Sequence, residues 1–83
     1  MRIQLALFAS LTQYLPETEN GNRLSAHAQL VDLPDGMTVG QVIDRLGLPD
    51  EPRIVFVNNR HAPDEYVLDE GERLAVFPPV AGG

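Results

Sequence analysis

The strongest chemical potential in this chain lies at its end. Gly82 and Gly83 close the sequence, and two residues without side chains have no preferred φ and cost entropy to order. A functional reading therefore requires a partner that grips the bare backbone in a narrow channel. The one reactive group at such a tip is the α-carboxylate, a poor electrophile until it is activated, for example by adenylation with ATP. An acyl-adenylate accepts sulfur, and the resulting thiocarboxylate is a nucleophile on an arm. From Pro78 to Gly83 that arm reaches about 20 Å when extended. The plainer alternative is a frayed terminus with no role. Against it stands the run Phe77-Pro78-Pro79-Val80, in which the prolines cannot donate to a ladder and favour an extended polyproline geometry suited to docking. The expectation is that Gly83 reacts, that Val80, Ala81 and Gly82 thread into a partner, and that Phe77, Pro78 and Pro79 meet its surface.

Other chemistry is thin. Cysteine is absent, which excludes disulfides, thiolate nucleophiles and sulfur-ligated metals, and two histidines are too few to suggest a zinc site. His27, placed in a strand, and His61, placed in a polar loop, read as satisfied or solvent-exposed side chains. Asp50-Glu51 and Asp64-Glu65 flank prolines in loops, where solvated charges are ordinary, so they are assigned no catalysis. All six cations are arginine, so no side-chain amine or thiol could capture an activated tip; an arginine-preferring genome explains the missing lysines equally well. Twelve acidic residues give a net charge of −6, which disfavours nucleic acid and anionic membranes as partners and fits a partner with a basic face, or simply keeps a small domain soluble. No long apolar run opens the chain, so neither a signal peptide nor a membrane span is expected, and the expected compartment is cytoplasmic.

The elements that must position the tail follow from periodicity. Ile3, Leu5 and Leu7 alternate with polar or small residues as in a half-buried strand. A short helix is expected after Ser10 as N-cap, with Leu11, Tyr14 and Leu15 on one side and Pro16 ending it. Residues 17–25 read as a surface loop with a turn at Asn20-Gly21. A second strand runs from Ala26 to Pro34. Thr38 and Gln41 form a capping box, Val39, Val42, Ile43 and Leu46 make one apolar stripe, and Gly47 stops that helix. Ile54 to Val57 is continuous and apolar, the pattern of a strand buried on both faces. Tyr66 to Leu68 predicts a short strand, and Leu74 to Phe77 the last one.

This order predicts an α+β chain with a mixed sheet packed around one main helix, a β-grasp, with residues 1–77 as the domain and residues 78–83 as an extended C-terminal Gly-Gly tail. The first and last strands then lie side by side, so that Phe8 and Phe77 could share an exposed apolar patch at the tail base; the alternative is that both are core.

The close of the chain, Glu70-Gly71-Glu72-Arg73-Leu74-Ala75-Val76-Phe77-Pro78-Pro79-Val80-Ala81-Gly82-Gly83, resembles the C-terminus of molybdopterin synthase small subunits. Leu5-Ala6-Leu7-Phe8-Ala9 and Leu33-Pro34-Asp35-Gly36-Met37-Thr38-Val39-Gly40 resemble the same family of ubiquitin-like sulfur carriers. Ala81 stands where such carriers often have a small hydroxyl or glycine, and residues 58–65 do not align. The resemblance implies that Gly83 is adenylated by an activating enzyme related to those of ubiquitin, which uses ATP, and is converted to a thiocarboxylate with sulfur from a sulfurtransferase or cysteine desulfurase. It implies that the tail enters the molybdopterin synthase large subunit and donates sulfur to cyclic pyranopterin monophosphate for the dithiolene of the molybdenum cofactor. Catalytic side chains would then belong to the large subunit, and this chain would bind no cofactor or metal itself. Carriers for thiamine or other sulfur-transfer pathways, and protein modifiers of ubiquitin type, share the di-glycine end and are the alternatives.

Overall fold

A computed structural model describes residues 1–79. Strands β1 (Arg2–Leu7), β2 (Ala28–Asp32), β3 (Ile54–Val57), β4 (Arg60–His61) and β5 (Arg73–Phe77) accompany one helix, α1 (Val39–Leu46), and two 3-10 turns, Ala9–Tyr14 and Asn20–Asn22. The strands form one sheet in the order β2-β1-β5-β3-β4. Strands β1 and β5 pair in parallel, and every other pairing is antiparallel. This is the expected β-grasp.

The period-two pattern decides which face is buried. Ile3, Leu5 and Leu7 of β1, Leu74 and Val76 of β5, and Val55 and Val57 of β3 form one core with Val39, Val42 and Ile43 of α1. The helix starts where the capping box requires: Gln41 N donates to Thr38 Oγ1 at 3.2 Å, and Thr38 N donates to Gln41 Oε1 at 2.9 Å. Its next free amides are used as well, Val39 N donating to Tyr66 O and Gly40 N to Asp64 O, both at 2.9 Å. Gly47 ends it in the left-handed region at φ 76°, where a Cβ would be penalised.

Four expectations need correction. Ser10 is not the cap of the first helical segment: Phe8 takes that position without a side-chain bond. Ala9, at φ 51°, turns the chain directly out of β1, so the segment begins earlier and closes as a 3-10 turn in which Thr12 Oγ1 donates to Ala9 O. The second strand starts at Ala28 rather than Ala26, because Leu24 N and Ser25 N both donate to Ala28 O in a tight turn. Tyr66 to Leu68 forms no strand; its only ladder contact is a bridge between Val67 and Thr38. The short strand is instead β4, made by the Asn58-Asn59 turn. Finally, β3 is buried on one face only, since Ile54 and Phe56 alternate with the core residues and stay half-exposed.

The capping box carries a direct prediction. Thr38→Ala leaves a helix-start amide without its partner and should cost about 1 kcal/mol, lowering the thermal midpoint by about 4–8 °C for a domain this small. Thermal unfolding followed by circular dichroism measures it, and an unchanged midpoint would show that solvent replaces the cap.

Candidate docking face and tail base

The strand residues that do not face α1 make up the opposite side of the sheet. There Ala6 pairs with both Ala28 and Ala75, and Ala75 pairs with Phe56. These small residues floor a surface on which larger rings stand at the strand ends. Phe8 follows β1, held in register by Phe8 N donating to Val76 O at 3.2 Å, and Phe77 closes the adjacent β5. Their rings stack with centroids 4.3 Å apart and an interplanar angle of 7°. Phe56 meets Phe77 edge-on at 5.8 Å and 86°. The row continues to both sheet edges, with His27 stacked on Phe8 at 5.4 Å and His61 tilted over Phe56 at 4.5 Å.

The three phenylalanines are half-buried and the two histidines exposed. Phe8 and Phe77 are therefore not core residues, and the core lies on the other side of the sheet. Phe8, Ala9, Ile54, Phe56, His61 and Phe77 line one apolar groove together with Pro78 and Pro79. Of the expected site residues, the structure thus brings Phe8, Phe77, Pro78 and Pro79 together; Val80, Ala81, Gly82 and Gly83 lie outside the described residues.

Phe56 and His61 belong to the same groove and escape sequence reading. Asn58-Asn59 was the available signal, a two-residue turn between two short extended stretches. Asn58 and Asn59 adopt φ of 51° and 68°, values asparagine tolerates better than most residues, and the tight turn sets Phe56 opposite His61. The turn is clamped from β5: Arg73 N donates to Asn58 Oδ1 at 3.0 Å, and Asn58 N donates to Arg73 O at 2.9 Å. Glu72 holds it further, accepting from Asn58 Nδ2 at 3.0 Å, Tyr66 Oη at 2.7 Å and Asp69 N at 2.7 Å.

Charge is segregated from the rings. At the far end of the same face Arg2 grips Asp32 through two bonds of 2.9 and 3.0 Å, and that hydrogen bonding holds the Asp32 carboxyl below its usual range. Beside the apolar groove a second, polar groove is lined by Asp50, Glu51, Arg53 and Asp64, with His61 on the border of both. Arg53 is paired to Asp64 at 3.1 Å. Among the described residues no cluster of three or more metal-ligating side chains occurs, and no helix is long and apolar enough to cross a membrane. Among the described residues the apolar groove presents rings and prolines, and the carboxylates stand in the neighbouring groove.

The ThiS family profile matches residues 8–83. The chain belongs to the ThiS family. Solved structures similar to this ThiS-family chain include SAMP1, the small archaeal modifier protein 1 of Haloferax volcanii. It is seen at 26% identity and TM-score 0.69 over 100% of both chains, and in a second structure at 25% identity and TM-score 0.68 over 95% of this chain and 98% of that one. A putative molybdopterin converting factor subunit 1 of Pyrococcus furiosus shares the fold at 21% identity and TM-score 0.69, over 95% of this chain and 98% of that one. The fold is that of the ubiquitin-like sulfur carriers and modifiers.

The Tyr66–Glu72 contact behind the hairpin is testable by titration. The hydrogen bond to Glu72, then burial and the Glu72 charge, raise the Tyr66 phenol above the usual 10.0. A raised value means that the contact is intact below the ordinary tyrosine range and is lost as pH rises through the shifted one. Ultraviolet titration should show Tyr66 ionising at lower pH in Glu72→Gln than in the parent chain; coincident curves would refute the coupling.

Proposed function

We propose that this chain is a sulfur carrier whose C-terminal Gly83 is adenylated and converted to a thiocarboxylate, and that it donates this sulfur to dithiolene formation in molybdopterin biosynthesis. The observation that carries the reading is the convergence of Phe8, Phe56 and Phe77 on a groove whose last residues are Pro78 and Pro79. A tail leaving from the rim of an apolar face is delivered into whatever protein covers that face. Stacked aromatics without a catalytic group fit a chain that contributes binding area and a reactive end, with the catalytic side chains supplied by the partner. The Phe77 to Gly83 closing sequence supports the molybdopterin pathway over the thiamine one.

In this reading an adenylating enzyme consumes ATP and releases pyrophosphate, a persulfide on a sulfurtransferase or cysteine desulfurase displaces AMP to form an acyl disulfide, and a second thiol cleaves that disulfide, freeing the thiocarboxylate and ending as a disulfide with the sulfur donor's cysteine. The chain itself holds no cofactor. The molybdopterin synthase large subunit then takes the tail while its surface covers the aromatic groove. The acidic surface, net −6, adds attraction to basic partner faces and speeds encounter.

Similarity to SAMP1 along the entire chain favours one second reading, a modifier whose activated end forms isopeptides with target lysines. The chemistry up to the adenylate is shared, and the acceptor separates the two. Blotting cells for tagged chain distinguishes them, because a dedicated carrier leaves no ladder of high-mass conjugates.

Two outcomes test the leading reading. Incubation with ATP, a sulfur donor and the host adenylating enzyme should raise the intact mass by about 16 Da, oxygen replaced by sulfur at the activated carboxyl; an unchanged mass with competent enzyme would overturn it. Phe77→Ala should weaken binding to the large subunit at least tenfold, as expected for an aromatic at the centre of a contact, a loss of about 1.4 kcal/mol or more. Undiminished affinity would remove the aromatic face from the interface.

A further inference from the structure

The row of rings ends at each sheet edge in an imidazole, and the two imidazoles have different surroundings. His61 projects from β4 opposite Phe56, its ring 4.5 Å away and tilted by 39°. It lines the apolar groove that leads to Pro78 and Pro79 and at the same time the polar groove of Asp50, Glu51, Arg53 and Asp64. Arg60 and Tyr66 border it on its third side. Since Arg53 is paired with Asp64, the remaining carboxylates of that groove, Asp50 and Glu51, form no ion pair among the described residues. His27 stacks on Phe8 at 5.4 Å and 22°, and its backbone N donates to Ser25 Oγ; it borders neither of these grooves.

We infer that His61 makes docking of the aromatic face pH-dependent, so that a partner binds the neutral imidazole and expels a proton as it binds. The inference rests on the proposed docking role of that face and adds its regulation. The occupant is the protein that receives the tail, because Pro78 and Pro79 line the groove itself and are the residues from which the tail sequence continues.

The sign follows from the two environments. Imidazole changes charge between pH 5 and 8. In the free chain the His61 ring faces water, with the Phe56 ring 4.5 Å away and Asp50, Glu51, Arg53, Asp64 and Arg60 in the grooves it borders, and a charge on it is hydrated. Under an apolar partner surface the same charge loses water at a cost that the ring does not return. Docking therefore selects the neutral form, and affinity falls as pH drops, by up to tenfold per pH unit for a single proton.

The experiment measures Kd between the full chain and the large subunit of its own organism from pH 6.0 to 8.5 by calorimetry, for the parent chain, His61→Phe and His27→Phe. The readout is the slope of log Kd against pH, whatever the absolute affinity, so titrating groups on the large subunit cancel between variants. Circular dichroism verifies that each variant is folded, and His61→Gln replaces His61→Phe if the latter is not. The parent should weaken toward acid, His61→Phe should be flatter by up to one unit of slope, and His27→Phe should keep the parental slope. A His61→Phe slope equal to the parent's, or steeper toward acid, overturns the inference while leaving the docking face in place. No binding at any pH would defeat the docking reading as well, so the two failures are told apart.

Discussion

The parallel pairing of β1 with β5 joins the two ends of the chain at the middle of the sheet, and the other features depend on it. Leu5 and Leu7 lie beside Leu74 and Val76, so the first strand and the last share one buried ridge against α1. Such a pairing closes a loop of most of the domain, and the entropy of that closure is recovered only if the ridge is fully dehydrated. Ile3, Leu5, Leu7, Leu74 and Val76 are all completely buried. Because the strands run in the same direction, their C-terminal residues emerge together. Phe8 and Phe77 stack for that reason, at the point where the tail leaves.

The two faces of the sheet have divided the work. One face is a conventional core, sealed by a helix whose amphipathic stripe and caps leave little freedom in its placement. The other carries alanines in its middle, rings at the tail end and an Arg2–Asp32 pair at the far end. A small domain with a modest core does not readily build an enclosed pocket. In the proposed function the chemistry therefore belongs to the terminal Gly83 and the recognition to the aromatic face. Low floor residues and tall rim rings give that face the shape of an apolar contact surface, with a carboxylate-lined groove next to it.

Local rules carried most of the architecture. The capping box at Thr38 and Gln41, the stripe Val39-Val42-Ile43-Leu46 and the stop at Gly47 are interactions between neighbours in sequence, so they are readable without any knowledge of the rest. The same holds for the alternation of Ile3, Leu5 and Leu7. Reading failed where a choice rested on distant contacts. Tyr66 to Leu68 has strand-forming residues, yet Tyr66 O accepts from the helix start and its hydroxyl is held by Glu72, which pulls the segment away from the sheet edge. Ile54 to Val57 looked buried on both sides because Phe56 is apolar, whereas its ring serves the open face.

By itself the sequence determined the element order, the helix with its caps, the fold class and the apolar stretch before two terminal glycines, because each is a matter of period, turn chemistry or composition over a few residues. Only the tertiary structure decided that Phe8, Phe77 and Phe56 form one row, that His27 and His61 close its ends, and that Asp50 and Glu51 share a groove with His61. Those neighbours are separated by many residues and meet only through strand order and register. The physical reason is that a sheet adds its strands laterally, so which side chains stand next to one another is set by hydrogen-bonded pairing across the chain and by no property of the local sequence.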